Sequence, residues 1–165
     1  MALTNAELIA SLQNEVRILL HLATKIDRNQ LDYRPTPKQR STIELLRYLS
    51  IMGPGLVPAI KSGNFDGAAW GTAVAAAEAK DLDAILADIA AQSDMYAAQL
   101  SPMTDATMAE KFEMFGRTES RGSYLVNLVL AGHAAYRTQL FCYLKACGRD
   151  ELNTMNLWAG MDGSM

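Results

Sequence analysis

The chain is poor in cysteine and histidine, with two residues of each type among 165. Cys142 and Cys147 are five positions apart in a segment with helical periodicity, so their side chains point about 140° apart and we expect no disulfide between them. Neither cysteine belongs to a Cys-x-x-Cys pair, and no histidine flanks them, so we interpret both as small buried hydrophobic residues. The cysteines therefore give no indication of a redox or metal role.

The chain also has no excess of positive charge and no long hydrophobic run. It has 15 basic and 18 acidic side chains, a net charge of −3, which provides no positive field to attract nucleic acid or anionic lipid. The longest apolar stretch, 124–136, is interrupted by Asn127 and His133 and is shorter than the roughly 18–20 residues of a membrane span. The segment 1–7 has no basic region before an apolar run. We expect a cytoplasmic protein whose partners are neither nucleic acid nor membrane.

Half of the residues are hydrophobic and a fifth are charged, which is typical of one soluble globular domain. Apolar residues recur at intervals of three and four in four segments, 8–26, 43–61, 82–100 and 125–144. Thr4 and the Ser41-Thr42-Ile43-Glu44 capping box predict the starts of the first two helices, and Gly148 predicts the end of the last. The pattern predicts an all-α protein, an antiparallel four-helix bundle over residues 1–148. A tail, 149–165, then packs on the bundle or on a dimer partner.

Three segments have a different pattern. Gly53-Pro54-Gly55 predicts a break or kink in the second helix. The glycine-rich segment 64–71 predicts a surface loop anchored by Trp70, and 103–117 contains an alternation around Phe112 that is compatible with a short strand.

Two segments of the sequence resemble the DinB/YfiT-like family. Segment 31–49, which includes Arg34-Pro35 and the capped helix that begins after Ser41, resembles the family's opening motif, whose helix ends in His-Leu or His-Ile. Segment 132–148 looks like the family's last helix, which usually reads His-x-x-x-His-Arg-Gly-Gln and closes with a glycine. The order and spacing fit across nearly the whole chain. The resemblance implies a four-helix bundle, often a homodimer, in which three histidines hold a divalent metal.

The three metal ligands of the family are absent from these positions. Tyr48 stands in the place of the histidine of the second helix, and Gly132 and Tyr136 stand in the places of the histidine pair of the last helix. A glycine side chain offers no ligand, and a tyrosine binds metal well only as phenolate, whose pKa is ordinarily about 10. We therefore expect no metal and no cofactor. A shift of register would be needed to bring His133 or His21 to the metal position.

A polar pocket is the alternative use of the same positions. His133 lies three residues before Tyr136, so both can share one helix face, which Tyr48 approaches from the second helix. As a catalytic candidate, His133 would act as acid or base near neutral pH. Arg137 and Gln139 match the family's Arg-x-Gln and could anchor an anionic ligand. The structural alternative is that both tyrosines fill the space of the lost metal, that His133 is a partly exposed flanking residue, and that Arg137 and Gln139 make a surface salt bridge and an interhelical hydrogen bond.

Basic residues cluster in the connection that leads to the second helix and in that helix. The functional alternative is that they attract a phosphate or the carboxylates of a thiol cofactor. We interpret them as a solvated face because acidic residues are interspersed and stacking aromatics are not. The cluster comprises Arg28, Arg34, Lys38, Arg40 and Arg47.

No motif in the sequence specifies a reaction. The hypothesis that we place first is a metal-free DinB-like bundle that binds a small ligand or acts as a scaffold. One alternative is a thiol-dependent transferase or isomerase, implied by the resemblance to the family's metal-dependent thiol transferases, with His133 supplying the chemistry. The other is a structural homodimer that buries Leu157 and Trp158 of the tail.

Overall fold

The computed structural model describes residues 3–163, and the predicted all-α bundle is confirmed there. Four long helices pack around a common core: α1 (Asn5–Ala23), α2 (Thr42–Ser62), α4 (Leu82–Leu100) and α7 (Ala131–Ala146). The shorter elements are α3 (Gly67–Glu78), α5 (Asp105–Ala109), strands β1 (Lys111–Met114) and β2 (Arg117–Ser120), α6 (Arg121–Tyr124), and three segments of other helix types, Arg28–Gln30, Leu125–Leu130 and Met155–Ala159.

Side-chain caps set the starts of the helices where the sequence predicts them. The Glu44 carboxylate accepts a hydrogen bond of 2.7 Å from the Ser41 N–H, and the Ser41 hydroxyl accepts one from the Glu44 N–H. The same reciprocal pair joins Thr4 and Glu7 at the start of α1. The Asp81 carboxylate accepts a hydrogen bond from the Ala84 N–H and caps α4. These bonds satisfy backbone donors that have no partner inside the helix.

The predicted break in α2 is wrong, because the helix continues through both of its prolines to Gly63. A Cβ on Gly53 would lie 2.1 Å from the hydroxyl oxygen of Tyr96, and one on Gly55 would lie 2.6 Å from the Trp70 ring. The two glycines thus allow α4 and α3 to approach the backbone of α2 closely. Contacts across the bundle override the local preference of the Gly-Pro-Gly sequence for a break.

The predicted loop over 64–71 is also wrong from Gly67 onward, where α3 begins. The Asp66 carboxylate accepts hydrogen bonds from the N–H groups of Ala68 and Ala69 and caps this helix. Trp70 is the anchor that the sequence predicts: it packs edge-on against Tyr48 of α2, with ring centroids 6.1 Å apart. Most of α3 lies on the outside of the bundle.

The strand-like pattern around Phe112 is confirmed and belongs to a hairpin. β1 and β2 pair antiparallel, with Phe112 opposite Glu119. The hairpin turns at Phe115-Gly116, where both residues have positive φ, 53° and 73°. At this turn Phe115 meets Phe65, which lies just before the start of α3.

The apolar stretch of α2 and the two cysteines near the end of α7 differ in how far they are buried. α2 is the helix, among residues 3–163, that is long and apolar enough by length and composition to cross a membrane, and 56% of that stretch is buried inside the bundle. This burial is typical of a core helix. Cys142 of α7 is exposed, and Cys147, which follows the helix as its C-cap, is partly buried, so the interpretation of both as buried residues is wrong.

The tail follows α7 back along α1. Leu152 and Asn156 are buried, and Arg17 of α1 donates to the carbonyls of Ala159 and Gly160 at 2.8 and 3.2 Å. Trp158 is 67% exposed on the outer side of this segment.

Candidate functional site

Tyr48 and Tyr136 meet where α2 and α7 face each other. Their rings pack edge to face with centroids 5.0 Å apart. Beside them opens a cleft of about 530 Å³, which we call the aromatic cleft. Its aromatic walls come from α2, the α2–α3 connection, α3, the hairpin and α7: Tyr48, Phe65, Trp70, Phe115 and Tyr136.

Phe115 lines this cleft from a left-handed backbone conformation, which glycine and asparagine adopt more readily than phenylalanine does. With φ of 53° it is the residue other than glycine that has positive φ within residues 3–163. A two-residue hairpin turn of this geometry favours Asn-Gly, and an ordinary side chain in the left-handed region costs about 1–2 kcal/mol. The ring is 57% exposed and contacts Phe65 with a centroid separation of 5.1 Å. The hairpin therefore holds an aromatic ring at the cleft at a cost in local stability.

The residues at the positions of the family's ligands do not fit a metal held by three imidazoles. Gly132 lines the aromatic cleft, and a Cβ there would lie 2.9 Å from the Met52 sulfur. Burial, and next the proximity of Tyr136, raises the pKa of the Tyr48 phenol. Both effects disfavour the phenolate, the form of tyrosine that binds metal well. Within residues 3–163 no cluster of three or more His, Cys, Asp or Glu side chains is placed to hold a metal ion.

His133 lies in the core, apart from the two tyrosines of the cleft. It is 1% exposed, and its Nε2 atom is 2.6 Å from the hydroxyl oxygen of Tyr96 on α4. The Tyr96 hydroxyl also donates to Oε1 of Gln92 at 2.9 Å, and Nε2 of Gln92 donates to the carbonyls of Leu49 and Ser50. These side chains form a buried polar chain between α2, α4 and α7.

The hydrogen-bond chain assigns the neutral tautomer of His133. Because the Gln92 amide is oriented by its two donor bonds, its oxygen faces Tyr96 and takes the proton of that hydroxyl. His133 must then donate from Nε2 to the Tyr96 oxygen, which leaves Nδ1 without a proton. Nδ1 is buried with no hydrogen-bond partner among the described residues. Burial lowers the pKa of His133 to about 4, so the residue is neutral at pH 7.

Arg137 and Gln139 also lie outside the aromatic cleft. Arg137 is buried and pairs with Glu15 of α1, Nε to Oε2 at 2.6 Å, and it donates to the Leu157 carbonyl of the tail. Its pair is therefore not the surface salt bridge of the structural alternative. Gln139 donates to the Tyr143 hydroxyl within α7, not across helices, and that hydroxyl donates to the Arg40 carbonyl at 2.8 Å. Of the five candidate residues, the structure brings together Tyr48 and Tyr136 and places His133, Arg137 and Gln139 elsewhere.

Four basic residues line a second cleft, which Tyr48 also lines. This basic cleft, about 660 Å³, shares Tyr48 and Trp70 with the aromatic cleft. Its cations are Arg34, Lys38, Arg40 and Arg47. The fifth member of the cluster, Arg28, lies elsewhere and pairs with Asp83 at the start of α4.

A third, mostly apolar cleft of about 830 Å³ lies between α2, α3 and α4. Trp70 lines all three clefts, so it is the central aromatic residue of the region. The sequence indicated Trp70 only as an anchor, and it gave Phe65 and Phe115 no role. The Phe-Gly pair at 115–116, between two alternating segments, is the signal of a tight turn that could have drawn attention to Phe115.

Comparison with known proteins supports the architecture. No family model matches the chain, and no curated protein matches it. Among solved structures, a DinB-like protein of Bacillus subtilis, YjoA, is similar with a TM-score of 0.67 and 19% identity, over 88% of this chain and 94% of that chain. The resemblance inferred from segments 31–49 and 132–148 is thereby confirmed at the level of the fold. This chain has the DinB-like helical-bundle fold.

Proposed function

We propose that this chain is a metal-free DinB-like protein that binds a small, largely apolar ligand in the aromatic cleft. The observation that carries the proposal is the composition of this cleft. At the three positions where the family has metal ligands, two phenol rings and a glycine border a cleft, and Phe65, Trp70 and Phe115 extend its aromatic surface. Its volume, about 530 Å³, lies in the range of small-molecule sites.

Aromatic walls favour a ligand with a flat or flexible apolar body. The five aromatic side chains that line the cleft offer it apolar area on which such a body can stack or place its CH groups. The Phe115 ring is largely exposed in the folded protein, so a bound ligand can bury additional apolar area against it.

A neutral fluorescent probe tests ligand binding. Phenylnaphthylamine is apolar and its emission rises when it leaves water, so titration gives its dissociation constant. Ala135 is exposed on α7 and lines the aromatic cleft, whereas Ala146 is exposed on α7 outside it. We expect Ala135→Phe to weaken probe binding several-fold and the matched Ala146→Phe to leave it unchanged. No binding to the wild-type protein, or equal effects of the two substitutions, would contradict the proposal.

The metal-free state is tested separately. We expect elemental mass spectrometry of untagged protein, before and after incubation with Zn²⁺, Ni²⁺ or Mn²⁺, to give a stoichiometry near zero. The reason is the donor set: a glycine, which offers no ligand, and two phenols, of which Tyr48 has its pKa raised by burial and by the proximity of Tyr136. A stoichiometry near one per chain would overturn this part of the proposal and bring forward the thiol-dependent transferase or isomerase.

We rank that enzyme second because of the position of His133. A general acid or base must reach the reacting group, and His133 contacts Tyr96 in the core, outside the aromatic cleft. If a thiol-transfer activity were found, we expect His133→Gln to preserve it. Loss of turnover at unchanged thermal stability would reverse the ranking.

We also propose that the protein works as a homodimer in the cytoplasm. Three of the four large hydrophobic residues that are exposed within residues 3–163 lie on the tail: Met155, Trp158 and Met161. An exposed apolar patch of this kind is a candidate contact for a second copy. Light scattering on the full chain checks this, since Trp158→Ser with Met161→Ser should halve the mass of a dimer while the buried Leu152 and Asn156 keep the tail in place. An unchanged mass would remove the tail from the interface.

A further inference from the structure

The basic cleft and the aromatic cleft are neighbours that share two walls. Tyr48 and Trp70 line both. The Arg40 guanidinium carbon lies 4.2 Å from the centroid of the Tyr48 ring, and that centroid is 5.0 Å from the centroid of Tyr136. The cation of Arg40 is therefore at most about 9 Å from the Tyr136 ring. One small molecule can span this distance.

The cations of the basic cleft exceed its carboxylates. Four basic side chains and two acidic ones, Glu44 and Glu78, line it. Glu44 is already engaged: it pairs with Arg34 at 3.1 Å and accepts the Ser41 N–H as part of the helix cap. Lys38, Arg40 and Arg47 have no carboxylate partner among the described residues.

The positions of Arg40 and Arg47 are set by the fold. The carbonyl of Arg40 accepts the Tyr143 hydroxyl of α7, which fixes the backbone at the entrance to α2. Arg47 lies on α2 and donates from Nη2 to the Lys80 carbonyl at 3.2 Å. Its Nε–H is buried and has no acceptor among the described residues. An unpaired buried donor on a guanidinium is costly, and a bound oxyanion that reorients the side chain would remove that cost.

We infer that the basic cleft binds an oxyanion carried by the ligand whose apolar body occupies the aromatic cleft. The ligand class is an amphipathic anion: an apolar, preferably aromatic, body with one carboxylate, sulfonate or phosphate group. The inference rests on the proposed function, because it specifies the ligand of the same site. Arg40 lines the basic cleft and stacks on Tyr48, which lines both clefts, so it is the cation that we expect to hold the oxyanion next to the apolar body.

Two probes with one aromatic framework test this inference. Anilinonaphthalene sulfonate carries a sulfonate, and phenylnaphthylamine has the same ring system without it. We expect the sulfonate probe to bind the wild-type protein about tenfold more tightly than the neutral probe at low salt, and the advantage to shrink as salt is added. In the double variant Lys38→Gln and Arg40→Gln, the advantage should fall to about twofold or less.

The matched control is Arg28→Gln, which removes one positive charge from the same segment outside the basic cleft. It should keep the advantage of the sulfonate probe. Because Arg40 also contacts Tyr48, the single variant Lys38→Gln, whose side chain lines the cleft, serves as a second test and should lose part of the advantage. Equal affinities of both probes for the wild type, or an advantage that survives the double variant, would overturn the inference while ligand binding stands. Failure of both probes to bind would overturn the proposed function and this inference together.

Discussion

Acid should destabilise this protein through His133, beginning at a pH above the range in which carboxylates become protonated. The folded protein holds the pKa of His133 near 4, against 6.5 for an unperturbed histidine. Between these pH values His133 is protonated in the unfolded chain and neutral in the folded chain. Stability is therefore fully present above pH 6.5 and is lost as the pH falls toward 4.

The size of the effect follows from the two pKa values. A difference of one unit corresponds to about 1.4 kcal/mol, so a shift from 6.5 to about 4 amounts to about 3 kcal/mol when complete, most of it by pH 4.5. The physical cause is burial: a proton on Nδ1 would place a charge in the core with no acceptor beside it among the described residues. The loss is a large part of the 5–15 kcal/mol that stabilises a typical domain.

Urea unfolding at pH 7.5, 6.5, 5.5 and 4.5 measures this directly, and the chain offers a matched control because it has only two histidines. His133→Gln keeps a donor for the Tyr96 oxygen and cannot titrate, so most of the loss should disappear. Partial burial also lowers the pKa of His21, despite its neighbour Asp162, so His21→Gln removes a contribution of the same sign and leaves that of His133. A pH dependence unaltered by His133→Gln would refute the assignment of a neutral, buried His133.

Three further substitutions test other parts of the structure. Gly53→Ala places a methyl group 2.1 Å from the hydroxyl oxygen of Tyr96 and should lower the unfolding free energy by about 2–3 kcal/mol. Gly71→Ala in α3 has open space around it and should raise the unfolding free energy by about 0.5–1 kcal/mol. Similar shifts of the urea midpoint for the two variants would contradict this. Phe115→Asn suits the hairpin turn and should stabilise the protein by about 0.5–1 kcal/mol while weakening phenylnaphthylamine binding, and unchanged affinity would remove this ring from the site. Glu15→Gln removes the charge that pairs with the buried Arg137 and should lower the unfolding free energy by about 2 kcal/mol, so a change below about 0.5 kcal/mol would show that the pair is not needed.

The protein has two polar regions with different roles, one in the core and one at the basic cleft. In the core, His133, Tyr96 and Gln92 satisfy most of their hydrogen bonds with one another, so they specify how three helices pack. At the basic cleft, Lys38 and Arg40 keep their charges without carboxylate partners among the described residues. The histidine that the sequence made the most attractive catalytic candidate is thus part of the core, and the unsatisfied charges lie beside Tyr48.

The sequence by itself determined the four long helices and the starts of the first two. Hydrophobic residues at intervals of three and four, the capping boxes at Thr4 and Ser41 and the stop near Gly148 are local signals, and each depends on residues within about one turn. The resemblance of segments 31–49 and 132–148 placed Tyr48, Gly132 and Tyr136 near one another, and the structure has them along one cleft.

Only the tertiary structure decided which polar residues share a site. Helical periodicity allowed His133 to face the same side as Tyr136. Consecutive positions on a helix diverge by about 100°, so with Gly132 and Tyr136 at the cleft, the residues that follow them point elsewhere: His133 toward α4 and Arg137 toward α1. It also kept α2 continuous through its Gly-Pro-Gly segment and brought Trp70 and Phe115, distant in sequence, to the same cleft. Contacts between residues far apart in the chain select among conformations that differ little in local energy, and no local pattern encodes that choice.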